Sequence, residues 1–507
     1  MVNPENEIYD IAIIGAGING AGIARDAAGR GYKVCLIEKG DPGQATSSAS
    51  TKLIHGGLRY LEHYAFRLVG EALAERDRLL SAAPHIIWPL RFVLPHHKGL
   101  RPQWLIRLGL FIYDHLGGTS RLAKSRKLNF ARTGLSGFLK PEFVTGFVYS
   151  DCWVEDSRLV ILNVMDAQAR GADIRIRTTC SQARVKGGVW ALDLKDDHSD
   201  STIQARMVVN AGGPWALDVD QRVGKSDNLS SLRLIKGSHL ILKRKMPTQD
   251  AFLIQNTDGR ITFMIPYEQE FTLLGTTDVD VNEDPGQLAI SEDEIEYLIK
   301  MANLYLAQPI SRDDIAASYA GVRPLYDDGK GDAAKANRDY HLKQTIQDGL
   351  PLLSIYGGKL TTYRKLAEAA LKEINTALGE NRPSWTADAV LPGGDFGAKT
   401  AEELADALCA QISDMPYKVA LRLVRAYGTS VSEVTSGASE MADLGLDFGA
   451  GLTEAEARYL AACEFARRPD DVLYRRSKLY LHLDDTQIQS FRRWWNQHIS
   501  TSSQPSG

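Results

Sequence analysis

Cysteine is scarce and scattered: Cys35, Cys152, Cys180, Cys409 and Cys463 lie far apart in 507 residues, with no CxxC pair. That pattern excludes a disulfide framework and a zinc knuckle, and it fits a reducing compartment. Long apolar runs are missing too; none reaches the roughly 18 residues of a membrane span, so no spanning helix is expected. The opening MVNPENEIYD is acidic and polar and lacks the charged-then-apolar order of a signal peptide. The expectation is a cytoplasmic chain, free or held peripherally on the inner face of the cytoplasmic membrane. A basic excess is also absent. Lys and Arg number 59 against 63 Asp and Glu, a net charge of −4, which argues against a general nucleic-acid binder. A local cationic patch facing phosphate or a lipid headgroup stays open. The 11 histidines show no HExxH or similar spacing, so no metal is expected. There is no GxSxG elbow, which removes the serines as hydrolase nucleophiles.

What is present begins at residue 8. IYDIAIIGAGINGAGIARDAAGRGYKVCLIEKG has a buried-strand run, a small-residue helix over 20–30 and a second strand over 33–37, a βαβ unit. Gly15, Gly17 and Gly20 form GxGxxG at the strand-to-helix turn. The first permits the turn, the second lets backbone approach a pyrophosphate, and the third lets helix and strand pack closely. Glu38 ends the next strand, where a carboxylate accepts hydrogen bonds from an adenosine ribose. The motif alone does not separate NAD from FAD. Its place at the N-terminus, with the return strand ARMVVNAGGPWA only at 205–216 and a further glycine pair at 357–358, suits an interrupted flavin domain and favours FAD.

Farther along, a helix is expected over 156–170 and strands over 172–178, 189–194 and 205–210. The closely spaced runs between 232 and 276 read as an antiparallel sheet. Ser291 and Glu294 form a capping box for a helix to about residue 306, and another helix follows Thr361. The Gly/Pro-rich stretch 379–399 reads as a linker and 400–500 as a helical domain. The fold class is therefore α/β (α+β), with three parts. A discontinuous Rossmann-type FAD domain takes 1–60, 146–231 and 345–378; an inserted antiparallel substrate or cap domain takes 61–145 and 232–344; the C-terminal helical domain follows the linker.

SSASTKLIHGGLRYLEHY, YSDCWVEDSRLV, RLIKGSH, GTTDV, GVRPL and GGKLTTYRKLAE, with the glycine fingerprint, resemble the respiratory FAD-dependent glycerol-3-phosphate dehydrogenases. These belong to the D-amino-acid-oxidase-like flavoproteins, and the resemblance runs nearly end to end. It implies oxidation of sn-glycerol 3-phosphate to dihydroxyacetone phosphate, noncovalent FAD, electron transfer to a membrane quinone, membrane association and a homodimer. One departure is Asn210-Ala211-Gly212-Gly213, where Thr is expected before the last Gly.

Oxidising a secondary alcohol requires a hydride acceptor, a base for the hydroxyl proton and a grip that fixes the carbon. For a phosphorylated substrate the grip is cationic, and Arg is preferred for its planar fork. With the resemblance, Arg59 and Arg323 are expected at the substrate. Lys359 is expected near the flavin N1–C2 edge, where a cation stabilises reduced flavin, or at the substrate. Ordinary surface salt bridges are the alternative for all three. His239 is the candidate base, or a structural histidine at a strand end. Tyr60 and Thr276 are expected to orient substrate. Gly56 and Gly57 let backbone pass close to the flavin, and Gly212, Gly358, Leu360 and Thr361 complete the cofactor set. His55 is read as a noncovalent neighbour of FAD. Ser47, Ser48 and Ser50 are expected to meet the pyrophosphate and ring, or to cap a helix.

RPQWLIRLGLFIYDHL (101–116) mixes Arg with Trp, Leu, Ile and Phe, as an interfacial helix does, although a buried cap helix has the same composition. The rival functions are an oxidase passing electrons to oxygen, an amine or amino-acid oxidase on the same fold, and a noncatalytic flavin-binding sensor or scaffold.

Overall fold

The computed structural model describes residues 8–499 except 119, 136, 225–230, 257–258 and 328–339. Among them the strands form two sheets. In the first, Asp173–Ile176, Val34–Glu38, Ile8–Ile14, Asp200–Asn210 and Leu350–Tyr356 lie parallel in that order. Ile11, Ala12 and Ile13 are fully buried, as a strand covered on both faces requires. Helix Ile18–Gly29 owes its place to small residues. A Cβ on Gly22 would come within 2.7 Å of the Tyr363 ring in helix Tyr363–Leu378.

The second sheet is mainly antiparallel and centres on Ser231–Leu242, which pairs with Ile315–Asp327, Phe271–Gly275 and Val279–Val281. It continues through Ile261–Tyr267, Ala251–Gln255 and Ile87–His96 to Thr145–Val154. Two segments lie elsewhere than the sequence division put them. Residues 146–154, divided into the dinucleotide domain, pair with Ile87–His96, because Phe147, Tyr149 and Trp153 pack into an apolar cluster with Phe92 and Tyr267. Strand His341–Gln347 straddles the 344/345 boundary and joins the first sheet. Its two-residue turn, Asp348-Gly349, has φ of 46° and 89°, the left-handed pair that closes a tight hairpin.

The capping box at Ser291 and Glu294 forms as expected, and its helix ends at Asn303, a little earlier than read. The stretch 379–399 is pinned rather than free. Trp385 Nε1 donates to the Asp26 carbonyl at 3.1 Å, and its ring fills the space a Cβ on Gly29 would need. The C-terminal helices enclose their own apolar core around Leu423, Leu460, Phe491 and Trp495.

Candidate functional site

A cavity of about 1050 Å³ runs between the two sheets, from Glu38, Lys39 and Cys180 at one end to Arg59, Thr276, Arg323 and Lys359 at the other. The glycine turn builds its first half. Gly15 has φ +105°, and a Cβ there would sit 2.6 Å from the Ala211 carbonyl oxygen, so only glycine fits. Gly20 lies off the cavity and packs against Gly15 and Ala211, the close helix–strand contact expected of it. Glu38 is held by the amides of Ala16 and Gly40, both at 2.7 Å. Burial raises its pKa while those amides oppose the rise. Asn19 Nδ2 donates to the Gly357 carbonyl at 3.0 Å, and its Oδ1 is buried without a partner. A helix N-terminus, a fixed carboxylate and an orphaned acceptor along one long cleft fit a dinucleotide. Asn210, the departure in sequence, is fully built in: it donates to Ala216 O and Asp220 Oδ1 and accepts from the Gly212 amide.

The three serines act mainly as fasteners. Ser47 Oγ accepts from the Ile18 amide at 3.0 Å, capping the glycine-motif helix from outside it. Ser50 Oγ donates to Asp156 Oδ2 at 2.8 Å. Ser48 bonds the carbonyls of Gln44 and Ala45 and does not line the cavity. Beneath them Lys52, at φ +60° and only 2 % exposed, reaches Asp156 at 2.9 Å. The Gly56 amide donates to Tyr113 Oη at 2.9 Å, and Tyr113 in turn donates to buried Asp151. Across the chain, Thr361 Oγ1 accepts from the His55 amide at 3.3 Å. Burial, aided by the Lys359 charge, pushes the His55 ring down to about 4, so it is neutral.

At the far end His239 is buried, stacked on Tyr319 with ring centroids 4.7 Å apart. Its Nε2 lies 3.0 Å from Thr51 Oγ1, and both His239 and Thr51 line the cavity. Burial first, then the charges of Lys52 and Arg323, hold its pKa well below the ordinary histidine value. Glu294 secures both neighbours of this region. It accepts from Ser238 Oγ at 2.9 Å and Thr277 Oγ1 at 2.7 Å, and pairs with Lys236 at 2.9 Å. Its burial disfavours the anion, but these partners prevail and bring the carboxyl down to about 2.

The three candidate cations all line this cavity. Lys359 Nζ lies 4.4 Å over the Tyr60 ring. Arg59 is exposed on the cavity wall with no hydrogen-bond or ion-pair partner among the described residues. Arg323 pairs with Asp278 at 3.0 Å, and its Nη2 sits where a Cβ on Gly237 would be 2.6 Å away. Thr276 Oγ1 is turned to the Thr277 carbonyl at 3.1 Å. Gly57, Gly212, Gly358 and Leu360 also line the cavity. Sequence reading missed Asn19, Thr51, Lys52, Asp156, Asp278 and Glu294. Thr51 and Lys52 stood inside the quoted SSASTKLIHGG stretch, Asn19 inside the glycine fingerprint, Asp156 inside YSDCWVEDSRLV and Asp278 inside GTTDV, while Glu294 was read only as a helix cap; what the sequence withheld was their contacts across the fold. Among the described residues no group of His, Cys, Asp and Glu has the arrangement of a metal site.

Residues 10–364 match the family described as DAO, FAD dependent oxidoreductase, and residues 384–492 match the C-terminal domain of alpha-glycerophosphate oxidase. The glycerol-3-phosphate dehydrogenase of Pseudomonas aeruginosa is 49 % identical, covering 96 % of this chain and 94 % of its own. The D-erythritol 1-phosphate dehydrogenase of Brucella abortus is 46 % identical, covering 97 % and 98 %. The crystal structure of glycerol-3-phosphate dehydrogenase from Bacillus halodurans, complexed with FAD, superposes with a TM-score of 0.74 at 25 % identity over 99 % of this chain and 97 % of that one.

Proposed function

This chain belongs to the FAD-dependent oxidoreductase family, and from that premise we propose that it oxidises sn-glycerol 3-phosphate to dihydroxyacetone phosphate. What supports the reading is that one cavity is lined by Arg59, Arg323 and Lys359 and also by a buried His239 whose imidazole is held neutral. FAD, when bound, supplies the two-electron acceptor for the hydride leaving the substrate carbon. The residues do the rest. Arg59 and Arg323 seat the phosphate and thereby hold the alcohol carbon in place. Lys359, fixed over Tyr60, puts positive charge beside the reacting end, where negative charge accumulates during the reaction. The hydroxyl proton passes to Thr51 Oγ1 as that hydroxyl gives its own proton to His239 Nε2. An anionic substrate on Arg323 removes part of the charge that depresses the imidazole, so substrate binding itself strengthens the base.

A second reading concerns chain length. The Brucella D-erythritol 1-phosphate dehydrogenase matches over 98 % of its length at an identity close to that of the glycerol-3-phosphate enzyme, so a four-carbon polyol phosphate is the competing substrate. Anaerobic mixing of the yellow holoenzyme with each compound decides between them. Bleaching by glycerol 3-phosphate at lower concentration and higher rate supports the first reading; bleaching by erythritol 1-phosphate alone overturns it. Repeating the reduced reaction with a ubiquinone analogue and then oxygen tests the proposed acceptor, a membrane quinone.

No helix among the described residues is long and apolar enough to cross a membrane. We propose that a membrane surface is met by helix Gln103–Leu116, whose Trp104, Leu108 and Phe111 are exposed by 68 %, 47 % and 56 %. Its opposite face buries Leu110 and Tyr113, and Tyr113 holds Gly56. The same helix would thus press on lipid and brace the cofactor segment. The homodimer is proposed on the resemblance alone.

A further inference from the structure

Four of the cationic side chains that line the cavity differ in what already neutralises them. Arg59 has no ion-pair partner among the described residues, and Lys359 rests on an aromatic ring. Arg233 is paired with Asp280, and Arg323 with Asp278 at 3.0 Å. Asp278 and Asp280 both line the cavity. The Arg323–Asp278 pair is open to solvent, with side chains 41 % and 44 % exposed, so it is of the weak, exchangeable kind. Yet Asp278 cannot drift far. It follows Thr277, whose hydroxyl is tied to buried Glu294 and whose carbonyl lies 3.4 Å from the same Arg323 nitrogen. A carboxylate on a short leash thus occupies the guanidinium that the proposed reaction gives to a phosphate.

Resting on that reading of the site, we infer that Asp278 is a tethered anion that holds the place of the substrate phosphate on Arg323, yields it on binding and takes it back on release. A phosphate dianion reaching Arg323 must displace Asp278 and then endure its charge a few ångströms away. Both effects weaken anion binding and favour departure of the phosphorylated product. Asp278 is on this view a residue that sets affinity and turnover without touching the hydride or the proton. No covalent step is involved.

Removing the charge while keeping the shape is the test. In Asp278→Asn holoenzyme, calorimetric titration with inorganic phosphate at fixed ionic strength is expected to show about tenfold tighter binding than wild type. KM for the phosphorylated substrate should fall with it, and Asp278→Glu should restore wild-type values. Asp278→Ser, with retained FAD content and melting temperature, serves if the Asn variant folds poorly. The decisive arm repeats Asp278→Asn in an Arg323→Met background, where displacement has nothing to act on and the gain must shrink to the part that charge repulsion alone supplies. An equal gain in that background, or an equal gain from Asp280→Asn, means general electrostatics and overturns the inference. So does unchanged phosphate affinity in Asp278→Asn. If the wild type oxidises neither polyol phosphate, the proposed function fails; if it does and Asp278→Asn leaves phosphate affinity unmoved, only the tethered anion fails.

Discussion

Two sets of Arg–carboxylate pairs lie in this molecule, and they are built differently. At the cavity, Arg323–Asp278 and Arg233–Asp280 have side chains exposed by 30–57 %. Between the C-terminal domain and the dinucleotide body, Arg476–Asp41 is 0 % exposed on both sides, and Arg158–Glu464 is 2 % and 0 % exposed. Arg476 sits in a π-helical turn, Asp471–Arg476, and bonds Asp41 at 2.5 and 2.8 Å, while neighbouring Arg475 adds a bond at 2.6 Å. Asp41 stands three residues after Glu38, in the loop that leads to Ser47. The exposed pairs can exchange partners with a ligand; the buried ones cannot, because either charge left alone in the interior is heavily penalised. The C-terminal domain is therefore part of the cofactor site's frame.

The largest effect should come from breaking a buried pair. Arg476→Met leaves buried Asp41 with Arg475 as its remaining ion-pair partner and is expected to cost about 2–3 kcal/mol of folding stability, less than a fully uncompensated buried charge, with FAD lost in step as the 38–48 segment loosens. Urea unfolding and retained flavin after gel filtration report both. The double variant Arg476→Met, Asp41→Leu should recover much of the loss. A single variant as stable as wild type, with flavin retained, would show that the domain contact does not brace the loop.

Next comes the exposed pair. Arg323→Ala removes a charge-assisted grip without leaving a buried charge, so folding and FAD content should stay near wild type. Activity should fall by about 2–4 kcal/mol of transition-state stabilisation, read as kcat/KM. Wild-type turnover would remove Arg323 from the substrate site.

This contrast was half legible in sequence. Gly15, Gly17, Gly20 and Glu38 could be read because strand, turn and helix chemistry is local and periodic, and the Ser291–Glu294 capping box for the same reason. The second role of Glu294 was not legible: its hold on Ser238 and Thr277 depends on a helix packing under a distant strand. The Asp41–Arg476 clamp joins residues 435 positions apart, and nothing in either neighbourhood announces it. HGGLRY and GVRPL carried Arg59 and Arg323 into view, but only the fold shows that one is unpaired and the other already holds a carboxylate. The serines misled for a physical reason. A hydroxyl near a phosphate-binding turn satisfies backbone amides and carboxylates as readily as a ligand.

Buried histidines give a smaller and graded effect. His85 is fully buried and both ring nitrogens lack partners; burial, then the charges of Arg158 and Arg425, push it down to about 3. His239 is likewise held well below its ordinary value by burial, Lys52 and Arg323. Both are neutral in the folded chain while the unfolded chain protonates them below about pH 6.5, so stability must fall as pH falls through that value. The slope is about 1.4 kcal/mol per pH unit for each histidine until the folded pKa is reached. His85→Phe should flatten the stability–pH curve between pH 6.5 and 4 without moving the pH–rate profile, whereas Thr51→Val should lower kcat with little change in stability. A His85→Phe curve as steep as wild type would assign the acid sensitivity elsewhere.

The smallest effect on the fold, and the clearest separation of surface from frame, belongs to helix Gln103–Leu116. Trp104, Leu108 and Phe111 project from one face, and Gly109 beside them has nothing within 4 Å of where its Cβ would be. Changing the three to Gln, Ser and Ser should alter stability by no more than about 0.5 kcal/mol each, because the side chains are exposed and the Phe111 ring gives up a surface contact with His115. Tyr113 keeps its hold on Gly56 from the other face, so FAD content and kcat with a soluble acceptor should persist. Flotation with anionic liposomes should fall away sharply, since apolar insertion and local basic charge act together at such a surface. Undiminished flotation would place the membrane face elsewhere, and loss of FAD in the triple variant would mean that the helix is frame throughout, as rigidly required as the buried pairs.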